Sequence, residues 1–253
     1  SFIIASKLLS IKIFLLEPNL VLGRVNRIFL NSCEKIFCII RNKNFPSNCD
    51  NKLVRINPLI RKEFYNIKEK SNLSKKFKIL IVGGSQGAKV FDEKLTDSII
   101  NLSKKFSIKI IQQTNEKNIS YLENLYSQNG IENTIFNFNN DFASYISQSD
   151  ICITRAGATT LAELSFLNVP FVAIPLPSSK DNHQFENANF YFKKNCCWII
   201  EQNLIQNEIE NILSGIFHNK TDFLEKKENL KKLNYQNSWI NVNQKILENI
   251  NEN

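Results

Sequence analysis

The sequence predicts an α/β protein with two doubly wound parallel sheets, the first of which is incomplete. Short, almost continuous apolar runs alternate with stretches in which apolar residues recur every three or four positions. Apolar strands separated by helices are typical of parallel sheets that are covered on both faces. A charged stretch at 56–77, which contains Pro58, separates a short first block from a nearly complete second one and is the predicted linker.

Each predicted strand is an apolar run. The runs lie at 11–16, 35–40, 52–56, 78–82, 108–112, 150–154, 170–174 and 197–200. The clearest helix follows the fourth run, where apolar residues recur at helical spacing: Ala88, Phe91, Leu95, Ile99 and Leu102. Such a stripe covers one face of a helix, as expected for a helix that packs on a sheet.

The apolar stretch 2–16 has the composition of a signal peptide or a membrane anchor, but its charges argue against both. Lys7 and Lys12 lie inside the run instead of before it, and no small-x-small cleavage site follows. The run is also too short to span a bilayer. We therefore predict a core helix followed by a strand. Because the sequence contains no Met, even at position 1, we expect Ser1 to mark a truncation, a processing site or a gene break.

Two boundaries divide the predicted domains. Residues 1–61 are expected to be the remnant of a first domain, and residues 62–235 are expected to form the second domain. Residues 236–253 are predicted to form a terminal helix that returns to the first domain. The apolar side of that helix comprises Trp239, Ile240, Val242, Ile246 and Ile250.

The composition is that of an ordinary globular protein and limits its partners. Hydrophobic residues make up 43% and charged residues 22% of the chain, so wholesale disorder is not expected. The net charge of +8 favours phosphate-bearing partners such as nucleotides or an anionic membrane. A general bias toward lysine, asparagine and isoleucine is the alternative explanation. The lysines are scattered, with no dense basic run beyond 75–78, so we expect no nucleic acid.

The cysteines and histidines predict neither disulfides nor a metal site. The six cysteines include no C-x-x-C pair, and a chain of 253 residues needs no disulfides to fold. Reduced thiols in a cytosolic protein are therefore expected. The two histidines, His183 and His218, have no second ligand at a familiar spacing. We expect no metal and no cofactor.

Three loops follow predicted strands, at the ends where open α/β sheets bind their ligands. The first is Gly83-Gly84-Ser85-Gln86-Gly87. Its glycines let a ligand approach the backbone, and the free N–H groups of the next helix favour a phosphate. The alternative is a tight turn with Ser85 as the helix N-cap.

The second loop, at 155–158, precedes a helix that is predicted to begin near Thr159 or Thr160. Thr160 and Glu163 have the spacing of a capping box, which is a complete structural explanation for Glu163. The alternative is that the Glu163 carboxylate, with its two acceptor oxygens, binds the vicinal hydroxyls of a ribose. On spacing alone, the cap is favoured.

The third loop, at 174–182, is stiffened by two prolines. Asp181 or Asn182 is predicted to cap the helix that follows. The first turns of this helix carry polar side chains that could reach a sugar: His183, Gln184 and Asn187. A polar first turn is common, but three polar loops that converge on one crevice indicate a ligand site.

Four segments, in their order and spacing, resemble one bacterial family: VGGSQGAK, ITRAGATTLAEL, VPFVAIPLP and DNHQFENA. The family is the UDP-N-acetylglucosamine:N-acetylmuramyl-(pentapeptide) pyrophosphoryl-undecaprenol N-acetylglucosaminyltransferases of peptidoglycan synthesis. The resemblance covers the whole chain but only the C-terminal part of the family's length. It implies a GT-B architecture of two Rossmann-like domains, in which the first meets the membrane and the acceptor and the second binds UDP-GlcNAc.

The resemblance also implies functional residues. The stretch LLEPNLVLGRVN resembles the family's His-Glu-x-Asn motif, with Glu17 as the candidate catalytic residue and Leu16 in place of the histidine. The stretch INPLIRKEF resembles Gly-Asn-Pro-Val-Arg, with Ile56 in place of the glycine and one extra residue before Arg61. The residues expected to bind substrates are Asn19, Arg61, Gly84, Ser85, Gln86, Asn139, Arg155, Gly157, Thr159, Thr160, Glu163, His183 and Gln184.

The implied reaction is the inverting transfer of GlcNAc from UDP-GlcNAc to the C4 hydroxyl of undecaprenyl-diphosphate-linked N-acetylmuramyl-pentapeptide. The family acts peripherally at the cytoplasmic face of the inner membrane, and Arg24, Arg27 and Lys35 would be remnants of the patch that meets anionic lipid. The family's N-terminal glycine-rich loop, with a histidine often proposed for catalysis, would precede Ser1. The main alternative is a UDP-GlcNAc-binding half-enzyme that is inactive alone. A UDP-GlcNAc epimerase and a generic nucleotide- or RNA-binding protein are the others.

Overall fold

The structure is a computed structural model that describes residues 2–41, 45–67, 76–137, 141–233, 235 and 238–251. Within these ranges the backbone forms two separate parallel sheets surrounded by helices. The first sheet lies in the first predicted block and the second sheet in the second block. The prediction of two parallel-sheet units is therefore confirmed.

The strands follow the predicted apolar runs, with one addition. Those of the first sheet are β1 (Phe14–Glu17), β2 (Lys35–Cys38) and β3 (Leu53–Arg55), paired in that order. Those of the second sheet are β4 (Phe77–Val82), β5 (Ile108–Gln113), β6 (Glu132–Phe136), β7 (Ile151–Thr154), β8 (Phe171–Ala173) and β9 (Cys197–Ile199). The spatial order of the second sheet is β6-β5-β4-β7-β8-β9, and all neighbours run parallel.

The helices of the described ranges connect these strands and cover their faces. They are α1 (Phe2–Leu8), α2 (Arg24–Phe29), α3 (Gly84–Ser103), α4 (Ile119–Gln128), α5 (Phe142–Gln148), α6 (Ala158–Phe166), α7 (His183–Phe192), α8 (Ile205–His218), α9 (Thr221–Lys231) and α10 (Ser238–Asn251). Short 3₁₀ turns lie at Leu30–Ser32, Ser47–Lys52, Lys62–Asn66, Glu116–Asn118, Lys180–Asn182 and Gln202–Leu204.

The second sheet has a hydrophobic core on each face, because successive side chains of a strand point to opposite sides. In β4, Ile79 and Ile81 pack in the same core as Phe91 and Leu95 of α3. Leu80 packs in the opposite core, which also contains side chains of α6 and α7. Of the helical stripe predicted after the fourth apolar run, Phe91, Leu95, Ile99 and Leu102 form the buried face of α3, and the side chain of Ala88 lies outside the described part.

β6 was not predicted, and its position explains why. It forms one edge of the sheet, where only Ile135 and Phe136 of its five residues are buried. Its first residue, Glu132, is exposed and paired with Lys76 and Lys109. An edge strand with a half-polar sequence lacks the continuous apolar run by which the central strands were recognised.

The winding of the second sheet reverses between β4 and β7, which are neighbours in space but not in sequence. From β4 the chain proceeds to β5 and β6 on one side, and from β7 to β8 and β9 on the other. The carboxyl ends of adjacent strands diverge at such a point and leave a crevice, which is where open α/β sheets bind ligands.

The helix and strand predicted within residues 2–16 are present, but the helix is not part of the core. No residue of α1 is buried. Of its residues, only Ile3, which is partly buried, packs against the hydrophobic core of the first sheet. At the other end of the chain, α10 packs on the first sheet through Val242, which is buried with Phe37 and Ile56. The predicted apolar side of α10 is only partly used, since Ile240 is largely exposed.

The linker predicted at 56–77 is partly a packed segment. Ile60 and Phe64 are buried in one core of the second sheet, and Lys62–Asn66 forms a 3₁₀ turn. All six cysteines lie within the described part of the chain and are free and buried. None of the described helices is both long enough and apolar enough to cross a membrane.

Candidate active site

The loops after β4 and β7 lie side by side at the reversal point of the second sheet. α3 begins at Gly84 and α6 at Ala158, directly after these loops. Both helices therefore start at the crevice, where their unpaired N–H groups and positive dipole ends favour an anion. Two helix N-termini beside one crevice can share the charge of a diphosphate.

Gly84 has a left-handed backbone with φ of 62°, a conformation that glycine adopts readily and other residues do not. A Cβ added at Gly84 would meet no atom of the described part of the chain within 4 Å. Its N–H donates to Oε1 of Gln113 at the end of β5, at 3.1 Å. The N-cap of α3 is Gly83, so the alternative interpretation of Ser85 as the N-cap does not hold.

Three predicted ligand residues lie partly or wholly beyond the described structure. Ser85 and Gln86 belong to the first turn of α3, but their side chains are outside the described part. Asn139 lies outside the described residues altogether.

α6 begins earlier than the sequence suggested, and this rules out the predicted capping box. Its N-cap is Gly157, without a side-chain cap, and Thr159 and Thr160 fall in the first turn. Glu163 therefore lies in the second turn, inside the helix, where its side chain cannot cap the helix start. The helix begins at Ala158 because the preceding glycine leaves the backbone extended.

The Glu163 carboxylate is instead held by Arg61. The guanidinium donates from Nε to Oε1 at 2.6 Å and from Nη2 to Oε2 at 3.0 Å. Glu163 is 1% exposed, and burial raises its pKa, although the hydrogen bond from Arg61 opposes the shift. The same hydrogen bond raises the pKa of Arg61. This part of the crevice thus contains a buried carboxylate with a cation on both of its oxygens.

Arg61 is positioned by its neighbours in the segment between the two sheets. Ile60 and Phe64 anchor this segment in the core. The guanidinium lies 5.2 Å from the ring centre of Phe64 and 5.4 Å from that of Phe142, and a second carboxylate, that of Glu63, lies 3.5 Å away. The extra residue that precedes Arg61 therefore does not keep it from the crevice.

Arg155 is buried within the protein and supports the loops around it. Its Nη1 donates to the carbonyls of Ile174 and Pro175 at 3.1 and 3.4 Å, and its Nη2 donates to Oε1 of Gln202 at 2.6 Å. The guanidinium also lies 4.8 Å from the ring centre of Phe91. Burial lowers the pKa of Arg155. Because its contacts reach the ends of β8 and β9, Arg155 ties together the loops beside the crevice.

Gln184 lies in the first turn of α7 and supports the third predicted loop. α7 begins at His183, and its N-cap is Asn182, as predicted, although no side-chain cap bond forms. Oε1 of Gln184 accepts a hydrogen bond from the N–H of Leu176 at 2.9 Å and so fixes the proline-containing loop. Nδ1 of His183 lies 2.7 Å from the carbonyl oxygen of Lys180.

Glu17, at the end of β1, organises the loop that follows it. Its Oε1 accepts from the backbone N–H and the side-chain amide of Asn19, at 3.1 and 3.3 Å. Its Oε2 accepts from the N–H of Gly23 at 2.7 Å and from the amide of Asn26 at 2.9 Å. A carboxylate has about four acceptor positions, and all four are used within residues 17–26.

Gln113 was missing from the predicted site residues, and Asn187 was predicted only as a polar side chain that could reach a sugar. Gln113 contacts Gly84 as described, and Asn187 of α7 is buried between the loops of both sheets, where it bonds Asn19, Leu20 and Ala156. A polar pair at the end of an apolar strand could have indicated Gln113. Nothing in the sequence indicates the contacts of Asn187, because its partners lie far away in the chain.

The loop after β1 and the segment at 180–183 line an open pocket of about 510 Å³ between the two sheet units. Its lining includes polar and charged side chains from both units: Glu17, Asn19, Asn26, Lys180, Asp181 and His183. No group of three or more potential metal-ligating side chains occurs among the described residues.

Comparison with known families gives one extended match. Residues 78–239 match the glycosyltransferase family 28 C-terminal domain. A UDP-N-acetylglucosamine--N-acetylmuramyl-(pentapeptide) pyrophosphoryl-undecaprenol N-acetylglucosamine transferase of Pelagibacter ubique is 47% identical over 252 residues, which are 99% of this chain and 71% of that protein. A transferase of the same name from a Wolbachia of Brugia malayi is 34% identical and matches 93% of this chain and 68% of its own length.

The backbone shows the same relationship. The crystal structure of Acinetobacter baumannii MurG aligns with a TM-score of 0.73 and 27% sequence identity, over 96% of this chain and 70% of that one. The S. aureus MnaA–UDP co-structure aligns with a TM-score of 0.61 at 11% identity, which shows a shared fold alone.

Proposed function

The chain belongs to glycosyltransferase family 28, and on this premise we propose that it transfers N-acetylglucosamine from UDP-GlcNAc to undecaprenyl-diphosphate-linked N-acetylmuramyl-pentapeptide. It is a UDP-sugar-dependent hexosyltransferase of peptidoglycan synthesis with the GT-B fold. One observation carries the proposal: α3 and α6 both begin at the reversal point of a parallel sheet, and the second turn of α6 carries the buried Glu163 carboxylate. This arrangement suits a nucleoside diphosphate.

In the proposed complex the donor lies across the crevice of the second sheet. Its diphosphate accepts hydrogen bonds from the first turns of α3 and α6, close to Gly84 and Thr159. Glu163 accepts hydrogen bonds from the ribose hydroxyls, because a carboxylate offers two oxygens to vicinal hydroxyls. The amide nitrogen of Gln184 donates to the hydroxyls of the GlcNAc ring.

The proposed reaction is a displacement at C1 of GlcNAc. The C4 hydroxyl oxygen of the muramyl sugar forms the new bond to C1, while the bond from C1 to the UDP oxygen breaks and UDP leaves with the electron pair. The hydroxyl proton passes to a base. Negative charge that grows on the leaving diphosphate is stabilised by the N–H groups of α3 and α6 and by the Arg61 guanidinium.

Glu17 is the candidate base that the resemblance supplies. Its carboxylate accepts four hydrogen bonds, so as a base it must release one donor before it takes the proton. Glu17→Gln keeps the shape of the side chain but cannot accept a proton. Under this proposal the variant binds UDP-GlcNAc normally and loses turnover, and unchanged turnover would rule Glu17 out.

The first unit is proposed to face the acceptor and an anionic membrane. α1, the turn after it and α2 expose apolar side chains beside basic ones: Phe2, Leu8, Leu9, Val25 and Ile28, with Lys7, Arg24 and Arg27. Such a surface favours peripheral binding to anionic lipid. We place this binding at the cytoplasmic face of the inner membrane, with residues 1–61 on the acceptor side and 62–235 on the donor side. Sedimentation with anionic and neutral vesicles tests it, since equal sedimentation with both would contradict an electrostatic contribution.

Transfer from labelled UDP-GlcNAc to the lipid-linked muramyl-pentapeptide in detergent tests the function directly. We expect GlcNAc on the lipid, and calorimetry should give tighter binding of UDP-GlcNAc than of UDP-galactose. Donor binding without transfer would point to the half-enzyme, which is not favoured because relatives named for the transfer match almost the whole chain. An epimerised sugar nucleotide in the absence of acceptor would point to an epimerase.

A further inference from the structure

Asn187 is a buried side chain that joins three separate segments of the chain. It lies on α7 and is 1% exposed. Its Oδ1 accepts a hydrogen bond from the N–H of Leu20 at 3.0 Å. Its Nδ2 donates to the carbonyl of Ala156 at 3.1 Å and to Oδ1 of Asn19 at 3.3 Å. One amide thus bridges the loop after β1, the loop after β7 and α7.

The identity of the side chain follows from these partners. The Leu20 N–H requires an acceptor, whereas the Ala156 carbonyl and the Asn19 oxygen require donors, so only a side chain with both functions satisfies all three. A carboxylate would lack the donors, and an aliphatic side chain would leave all three partners unsatisfied. Buried polar groups without partners are strongly disfavoured, so the site is specific for an amide.

The segments that Asn187 joins are those that would have to meet for the transfer. Asn19 and Leu20 belong to the loop that Glu17 organises through four hydrogen bonds. Ala156 immediately precedes the N-cap of α6, the helix that carries Glu163. The helix of Asn187 also carries Gln184 one turn earlier.

We propose that Asn187 is a positioning residue. It keeps the loop at 17–26 at a fixed distance from the loop after β7, which lies on the proposed donor side. The inference rests on the proposed function, because the loop at 17–26 belongs to the acceptor side only if the chain is a transferase. A fixed distance between the two sides matters, since a displacement of about 1 Å can cost about 100-fold in rate. Asn187 acts through the loops and not through contact with the reacting atoms.

The position predicts a particular pattern of effects. Loss of the amide releases the loop at 17–26 but leaves the start of α3 and Glu163 in place. Donor affinity should therefore persist while turnover falls. The exchange of the Leu20 amide hydrogen with solvent should accelerate, because its acceptor is gone. A residue that bound the donor directly would instead lose affinity and turnover together.

The experiment compares Asn187→Ala with Asn229→Ala in the full chain. Asn229 provides a matched control, since its amide also donates to a main-chain carbonyl at 3.1 Å, that of Asn195, inside the second unit. For each protein, calorimetry measures the Kd of UDP-GlcNAc, the transfer assay gives kcat and KM, and hydrogen exchange reports on the peptide that contains Leu20. A variant that retains the volume, Asn187→Asp, keeps an acceptor for Leu20 but lacks both donors.

We expect Asn187→Ala to lower kcat by about 100-fold, to change the donor Kd by less than about threefold, and to deprotect Leu20. Asn187→Asp should fold, protect Leu20 and still lose kcat, and Asn229→Ala should leave both kcat and Leu20 unchanged. A wild-type exchange rate at Leu20 in Asn187→Ala would overturn the proposal. Three other results would also overturn it: a donor Kd that rises as much as kcat falls, a normal kcat in Asn187→Asp, or losses in Asn229→Ala that equal those in Asn187→Ala.

The exchange measurement separates this inference from the proposed function. If the wild-type chain binds UDP-GlcNAc but transfers nothing, the proposed function fails. Exchange of the Leu20 amide hydrogen in Asn187→Ala and Asn187→Asp is then the measurement that tests whether Asn187 holds the loop. Protection that survives in Asn187→Ala overturns the inference in that case as well.

Discussion

Arg61 covers both carboxylate oxygens of Glu163, with donor–acceptor distances of 2.6 and 3.0 Å. The two partners are unequally buried: the side chain of Glu163 is 1% exposed and that of Arg61 is 43% exposed. Under the proposed function a ribose must take the place of the guanidinium on at least one of these oxygens. The released Arg61 then becomes available to the diphosphate.

Replacement of Glu163 by Gln should separate donor binding from stability. The amide lacks the charge that strengthens hydrogen bonds to the ribose, so we expect UDP-GlcNAc affinity to fall by about 10- to 100-fold, or about 1.5–3 kcal/mol. Thermal stability at pH 7 should not fall. Burial is the largest influence on the pKa of Glu163 and raises it, so ionisation of Glu163 is costly in the folded state. In the variant, the half-exposed guanidinium of Arg61 can be hydrated instead. Calorimetry and a thermal melt test both parts, and unchanged affinity would leave Glu163 with a purely structural role.

The raised pKa of Glu163 also predicts how donor binding depends on pH. A raised pKa means that the folded protein takes up this proton at a higher pH than a free glutamate does, above 4.5. Acidification should therefore weaken UDP-GlcNAc binding before the pH reaches 4.5, while Glu163→Gln should lack this dependence. By the same linkage, stability from this group is fully present below pH 4.5 and is lost as the pH rises through the raised value. Calorimetry from pH 8 to pH 5 tests this, and identical pH profiles for both proteins would contradict it.

Replacement of Arg61 by Ala should destabilise the protein much more than Glu163→Gln. It leaves a buried carboxylate without its cation; because the Arg61 side chain is itself 43% exposed, we expect a cost of about 1–3 kcal/mol, that of a buried acceptor that loses its partner. Glu63→Gln is the matched control, since it removes the exposed second carboxylate beside Arg61 and should cost less than about 1 kcal/mol. Urea unfolding measures both, and similar losses for the two variants would show that the Arg61–Glu163 pair contributes no more than a surface pair.

These contacts mark the limit of what the sequence could predict. Apolar periodicity located the central strands and the buried face of α3, because burial on both faces of a parallel sheet imposes a continuous apolar pattern. The edge strand β6 was not predicted, because a strand with only one neighbouring strand is less buried and its sequence need not be continuously apolar. The start of α6 was placed too late because Gly157 ends the preceding loop without a side-chain cap, so no capping residue marked it.

The site itself was predictable as a set of loops but not as a set of contacts. Glycines, prolines and polar residues after apolar strands identified all three loops around the crevice. The partner of Glu163 lies 102 positions away and the partners of Asn187 lie up to 168 positions away. Side-chain pairing over such separations is set by how the two sheet units pack, which no local pattern encodes.

Gly84→Ala tests whether the space in front of the first loop is the donor site. Both Gly84 and Gly130 have positive φ, 62° and 70°, and at either position an added Cβ would meet none of the atoms that the structure describes within 4 Å. Alanine should therefore cost each variant a similar backbone strain of about 1–2 kcal/mol. Only the Cβ at position 84 would project toward the proposed diphosphate, so UDP-GlcNAc affinity should fall by about tenfold or more in Gly84→Ala and stay unchanged in Gly130→Ala. Calorimetry combined with urea unfolding measures both quantities. Equal affinities in the two variants would show that the donor does not approach the backbone at Gly84.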